Sequence, residues 1–121
     1  MPPEVINLEE KLAGFSDHWN PRIVGGYNGN ELRVAKLKGE FTWHSHADTD
    51  EFFLVIDGDL TIEFRDGARR LTSGEAIVVP KGVEHRPMAQ NECAVLVIDR
   101  EGEPNTGTSP SQFTRTRLER I

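Results

Sequence analysis

The stretch Gly39 to Gly58, GEFTWHSHADTDEFFLVIDG, decides how the rest of the chain is read. His44 and His46 are two residues apart, so in an extended segment both imidazoles leave the same face. Glu51 follows after a short polar loop, and a distant stretch, Gly74 to His85, GEAIVVPKGVEH, brings His85 to the set. Imidazole nitrogens with one carboxylate oxygen suit a divalent transition metal such as iron, manganese, nickel or zinc. Four protein ligands on a six-coordinate ion leave two positions for exchangeable ligands. Neither stretch contains cysteine, which sets the pattern apart from closed structural zinc sites.

Outward from this stretch the punctuation is that of a β protein. Asn28-Gly29, Asp57-Gly58 and Asp66-Gly67 place residues that tolerate positive φ between strand-like runs, and Lys38-Gly39, Ser73-Gly74 and Pro80-Lys81-Gly82 supply further turns. The runs between them are Glu31 to Leu37, Phe41 to His46, Glu51 to Ile56, Leu60 to Arg65, Ala76 to Val79 and Cys93 to Ile98. Short runs rich in β-branched and aromatic residues at this spacing argue for an antiparallel sandwich or barrel. A two-residue turn at Asp57-Gly58 sets Val55 opposite Leu60, Phe53 opposite Ile62 and Glu51 opposite Phe64. The apolar face of that hairpin is the interior one, and Glu51 points into it. A carboxylate there is costly unless a cation pairs with it. The pocket lining expected beside the ligands is Thr42, Phe53, Ile62 and Phe64. The opposite face carries Phe52, Leu54 and Ile56, and strands apolar on both sides are usually covered on both. A second copy of the chain could supply the cover, and a homodimer is expected.

At 121 residues the chain suits a single domain that buries roughly two thirds of its unfolded surface. Residues 1–26 read as a helix and arm, 27–100 as the β-barrel and 101–121 as a C-terminal extension. The helix is expected from Asn7 to Leu12, capped by Asn7 with Glu10 at the capping-box position. A net charge of -6 argues against nucleic acid and anionic membrane surfaces, which need a basic footprint, and leaves small molecules or proteins as partners. No apolar run approaches a membrane span and the first residues lack a signal-peptide pattern, so a cytoplasmic location is expected. The single cysteine, Cys93, sits in the apolar run CAVLVI and reads as a core residue. His18 stands apart from the other three histidines and reads as an ordinary hydrogen-bonded side chain.

The spacing of the two stretches resembles the cupin superfamily, whose first motif has the form G-x5-H-x-H-x3 or 4-E-x6-G and whose second has the form G-x5-P-x-G-x2-H-x3-N. Gly39, His44, His46, Glu51 and Gly58 stand at the first, and Gly74, Pro80, Gly82 and His85 at the second. The match departs in two places: four residues separate Gly39 from His44, and Ala89 stands where the second motif has Asn. The short intermotif stretch is similar to that of small single-domain bacterial cupins said to resemble mannose-6-phosphate isomerases. The resemblance implies an antiparallel double-stranded β-helix, a jelly-roll barrel, with one divalent metal held by His44, His46, Glu51 and His85. Asp48 and Asp50 are the nearest competing carboxylates and read as solvated loop residues.

Two open positions on such a metal suit an enzyme acting on a small, partly apolar oxygenated molecule, by dioxygenase or isomerase chemistry. No catalytic acid or base is apparent beyond the ligands; Arg86 follows His85 and is expected to point away from them. The alternative is a non-catalytic module that binds a metal or small ligand, because a fold hosts many functions.

Overall fold

The computed structural model describes residues 1–121. The helix forms where the capping pattern placed it: α1 spans Leu8–Leu12, and the Asn7 side chain accepts from the Glu10 amide at 3.0 Å. The strands are β1 (Arg22–Tyr27), β2 (Asn30–Glu40), β3 (Glu51–Asp57), β4 (Asp59–Phe64), β5 (Gly67–Thr72), β6 (Ala76–Val79), β7 (His85–Arg100) and β8 (Glu119–Arg120). Pairing is antiparallel except for the short β1–β8 contact. The expected all-β barrel is the fold, and no helix is long and apolar enough to cross a membrane.

The barrel is organised on β7. One edge pairs with β2 over nearly its whole length; the other pairs with β4 near its start, Phe64 opposite His85, and with β3 near its end, Phe52 opposite Ile98. β3 and β4 are each antiparallel to β7, so they run in the same direction. This corrects the expected hairpin across Asp57-Gly58: the two strands are one strand bent at Gly58, and Val55 does not face Leu60. A Cβ at Gly58 would lie 3.1 Å from the Glu92 carbonyl oxygen and 3.2 Å from Cys93 Cα, and φ is 107°. The bend packs against the place where β7 bulges, with Gln90, Asn91 and Glu92 exposed. Gly58 has the positive φ that the Asp-Gly pair implies, in a kink instead of a turn. Glu51 faces inward all the same, because Glu51, Phe53 and Val55 alternate into the interior along β3.

Real two-residue turns join β1 to β2 at Asn28-Gly29 and β4 to β5 at Arg65-Asp66, one residue before the expected Asp66-Gly67. Phe41 to His46 is not a strand; after Phe41, whose amide donates to the Pro87 carbonyl, its one β-type pairing is the His44–His85 bridge. β5 was not expected because only Leu71 is buried on it, which leaves no alternation to detect. The run expected at Cys93 begins at His85, since Pro87 and the polar QNE segment interrupt its pattern. The core gathers Phe41, Phe53, Val55, Leu60, Ile62 and Val95, with Trp19 stacked on Phe41 at 4.7 Å.

Candidate metal centre

The barrel brings His44, His46, Glu51 and His85 together from three places in the chain. His85 opens β7 and is locked to His44 by reciprocal backbone hydrogen bonds of 2.9 and 3.0 Å. The His46 carbonyl accepts from the Gly82 amide at 2.7 Å, so the loop before β7 fixes the second histidine as well. Glu51 opens β3. All four are buried, none more than 4% exposed, and one ligand atom from each lies within 4.8 Å of the others.

The orientation of the three rings is more informative than their proximity. His44 Nδ1 donates to the Thr42 carbonyl and His85 Nδ1 to the Val83 carbonyl, both at 2.9 Å. His46 Nδ1 lies 2.9 Å from Glu103 Oε2. A carbonyl or carboxylate oxygen can only accept, so each Nδ1 carries a hydrogen, and whenever a ring is neutral the nitrogen it turns inward, Nε2, is the one with the free lone pair. There Glu51 Oε1 lies 3.0 Å from His85 Nε2 and 3.3 Å from His46 Nε2. Nε2 of His46 is buried with no hydrogen-bond partner. Lone pairs aimed at a carboxylate repel one another unless a proton or a cation stands between them. The residues present fit a divalent metal: three neutral imidazoles of fixed tautomer, one carboxylate, and an oxygen acceptor behind each ring.

Residues 31–99 match the family described as the cupin domain, and all four cluster residues fall within that range. The chain belongs to the cupin family. It is similar to a cupin-2 domain containing protein from Shewanella frigidimarina, with 47% identity and a TM-score of 0.79 over 80% of this chain and 95% of that one. The uncharacterized protein YdbB of Bacillus subtilis is 36% identical over 95 residues, 78% of each chain. Hydroquinone 1,2-dioxygenase PnpCD, in a structure with Cd2+ and 4-hydroxybenzonitrile, has 19% identity and a TM-score of 0.66 over 84% of this chain and 82% of that one. That last likeness is one of fold alone.

The electrostatics of this cupin site follow from its burial. Burial, and then the neighbouring His85, push the His44 imidazole down to about 4, so it is neutral across the ordinary range. Burial works against a charge on His46 too, but the Glu51 and Glu103 carboxylates at its two nitrogens outweigh it and hold the imidazole above its usual value. Glu51 has the same balance with the opposite sign: burial opposes its charge, yet His46 and His85 hold it well below the carboxylate range. Asp99, on β7, is pushed well above that range by burial and by the charge of the adjoining Glu51.

A cavity of about 50 Å³ adjoins the cluster, with His44 and Glu51 in its wall beside Trp19, Phe41, Phe53 and Asp99. Of the residues expected to line it, Phe53 does. The other three stand elsewhere: Thr42 holds His44 through its carbonyl, Ile62 is sealed in the core, and Phe64 packs against that core. The reason is the bend at Gly58, which carries β4 onward instead of folding it back over Glu51. Asp50 takes the Lys81 amide at 2.9 Å and Asp48 is exposed; neither joins the cluster. Arg86 pairs with Glu63 at 3.0 Å and Glu40 at 3.3 Å, and His18 with Glu92 at 2.8 Å, all away from the site.

Three contributors escaped the sequence reading. Asp99 continues the inward alternation of Val95 and Val97, so its parity could have found it. Trp19, from the N-terminal arm, lines the cavity in a left-handed backbone conformation, φ 58°, that is rare for a bulky residue. Glu103 lies beyond the strands in an irregular segment and carried no signal.

Proposed function

We propose that this cupin is a metal-dependent enzyme that holds a divalent transition metal through His44, His46, Glu51 and His85. It acts on a small oxygenated molecule, largely apolar, by dioxygenase or isomerase chemistry. The observation that carries the reading is the shared ring orientation: three buried imidazoles are held through Nδ1 and turn Nε2 inward, two of them onto one Glu51 oxygen. When bound, the metal supplies Lewis acidity and, if it is iron or another redox metal, electron transfer. The protein does the rest. Trp19, Phe41 and Phe53 exclude water and favour a flat apolar body, and Asp99 stands beside Glu51 in the same wall.

Oxygen uptake by the iron-loaded protein over a panel of small phenols and enediols tests this, with the same panel run anaerobically to catch isomerisation. Turnover in either arm supports the enzyme. The small cavity favours one other reading, a module that holds a ligand without transforming it; binding of panel compounds with no turnover in either arm would establish that instead.

We infer a homodimer in the cytoplasm. The outer face of the sheet carries two apolar rows across four strands, Val78, Phe52, Ile98 and Leu32 in one, Ala76, Leu54, Leu96 and Val34 in the other. Phe52, Leu54, Leu96 and Ile98 are only half-buried and Val78 is 56% exposed, which leaves a face that a second copy would cover.

A further inference from the structure

The segment that follows β7 is fastened to the metal cluster at several points. Thr108 donates its amide to the Ser45 carbonyl at 3.0 Å and its hydroxyl to the same oxygen at 3.3 Å. Between the two histidines' segment and this one there is no spare room: a Cβ at Gly107 would stand 2.0 Å from the Ser45 carbonyl oxygen and 3.2 Å from His46 Nδ1. Thr106 is fully buried, and Asn105 reaches the cavity wall while accepting from the Arg115 amide and donating to the Phe113 carbonyl, each at 2.9 Å. Phe113 packs on Phe41 at 5.2 Å. Glu103 is therefore held from both ends. Its carbonyl accepts from the buried Arg33 at 2.9 Å and its carboxylate receives His46 Nδ1–H at 2.9 Å.

This differs from the support of the other two rings. His44 and His85 donate to carbonyls two residues away in their own segments, so their tautomers are fixed locally. His46 is fixed by a side chain from 57 residues further on, outside the range 31–99 that carries the family match. The geometry points to Glu103 as the positioning residue of the metal site: by receiving Nδ1–H it holds His46 with Nε2 inward, and the segment from Glu103 to Thr108 makes the fourth ligand available only while it is docked.

The inference rests on a metal being held at the cluster, and the test separates the two. Zinc affinity is measured by chelator competition at pH 8 for the wild type, Glu103→Ala, Glu103→Gln and Gly107→Ala, with thermal melting of each metal-free protein. Zinc loading of the wild type at one ion per chain, abolished by His85→Ala, is the condition that the metal reading must meet. Given that, Glu103→Ala weakens zinc about 10–100-fold, the usual cost of losing a partner behind a ligating histidine. Glu103→Gln, whose amide oxygen still accepts, restores most of it, and Gly107→Ala loses affinity with Glu103 intact because the segment cannot seat. The 15N shifts of the His46 ring in the zinc-loaded protein report the same order, with a fixed Nδ1–H in wild type and Gln and a labile one in Ala. Wild-type affinity and ring shifts in Glu103→Ala overturn the inference; so does a loss in Gln equal to that in Ala. Failure of the wild type to bind zinc overturns the metal reading itself.

Discussion

Two clusters of buried polar side chains share the interior of this barrel and satisfy their charges in opposite ways. Around Arg33, 1% exposed, every nitrogen of the guanidinium has a partner: Glu31 Oε1 at 2.7 and 3.2 Å, Asp99 Oδ2 at 3.3 Å and the Glu103 carbonyl at 2.9 Å. The buried cation of that cluster is fully satisfied by the chain itself. Around Glu51 no fixed cation exists: His46 and His85 bring Nε2 to within 3.3 and 3.0 Å of one carboxylate oxygen, and the His44 ring packs beside His85. The clusters adjoin where Glu51 and Asp99 share a cavity wall, so the contrast is not one of location or burial. What separates a structural ion cluster from a ligand set is the direction in which the donors face.

The largest effect that tests this contrast comes from removing the resident charge. Arg33→Met leaves Glu31 and Asp99 buried without their cation and is expected to cost about 3–5 kcal/mol in urea unfolding. His46→Ala in the metal-free protein, which removes one member of a crowded set, costs clearly less and abolishes tight metal binding. Equal losses from the two would erase the distinction.

Next comes the bend that separates β3 from β4 and keeps Glu51 clear of Phe64. At Gly58 a side chain meets both an unfavourable backbone conformation and the bulge of β7, so Gly58→Ala is expected to cost about 1–3 kcal/mol, read as a fall in the denaturation midpoint. A neutral substitution would mean that the strand can follow another path.

The smallest effect is graded by pH. His46 in the metal-free fold sits above its ordinary value of 6.5, so the stability this gives is fully present below 6.5 and is lost as pH rises through the folded value. Metal binding has the opposite slope, because the ion must displace that proton: affinity falls as pH drops through the raised value, by about tenfold per unit while one proton is displaced. His44, held at about 4, contributes nothing to this slope above pH 5. Titrating zinc affinity between pH 8 and 5.5 checks it. A decline that begins only well below 6.5 would show that Glu51 and Glu103 do not favour the imidazolium as the geometry requires.

The strand content was legible because it follows from short-range rules, and the four cluster residues because the spacing of the two stretches resembles that of cupins. Glu51 was placed inward through a hairpin register that the structure replaces with a bend, and it stays inward because Glu51, Phe53 and Val55 share a face; two-residue spacing put His44 and His46 on one side even though their segment is irregular. What was illegible depended on long-range partners. An Asp-Gly pair permits positive φ in a kink as readily as in a hairpin, and only the pairing of both flanking strands with β7 decides between them. The cavity wall moved with that choice, taking Ile62 and Phe64 out of it. Trp19 and Glu103 come from segments with no periodicity, so nothing in the sequence ties them to a site that lies far along the chain.

The central claim is that the inward Nε2 atoms and Glu51 are a ligand set. Anomalous diffraction from crystals of protein purified without chelator and soaked in Zn2+ tests it directly. The result expected is one peak between His44, His46, Glu51 and His85, at roughly 2.0–2.2 Å from three Nε2 atoms and a carboxylate oxygen, and absent from His44→Ala crystals. A cluster without a peak, or one in which Glu51 keeps a protonated His46 as its partner while zinc binds elsewhere, would contradict it.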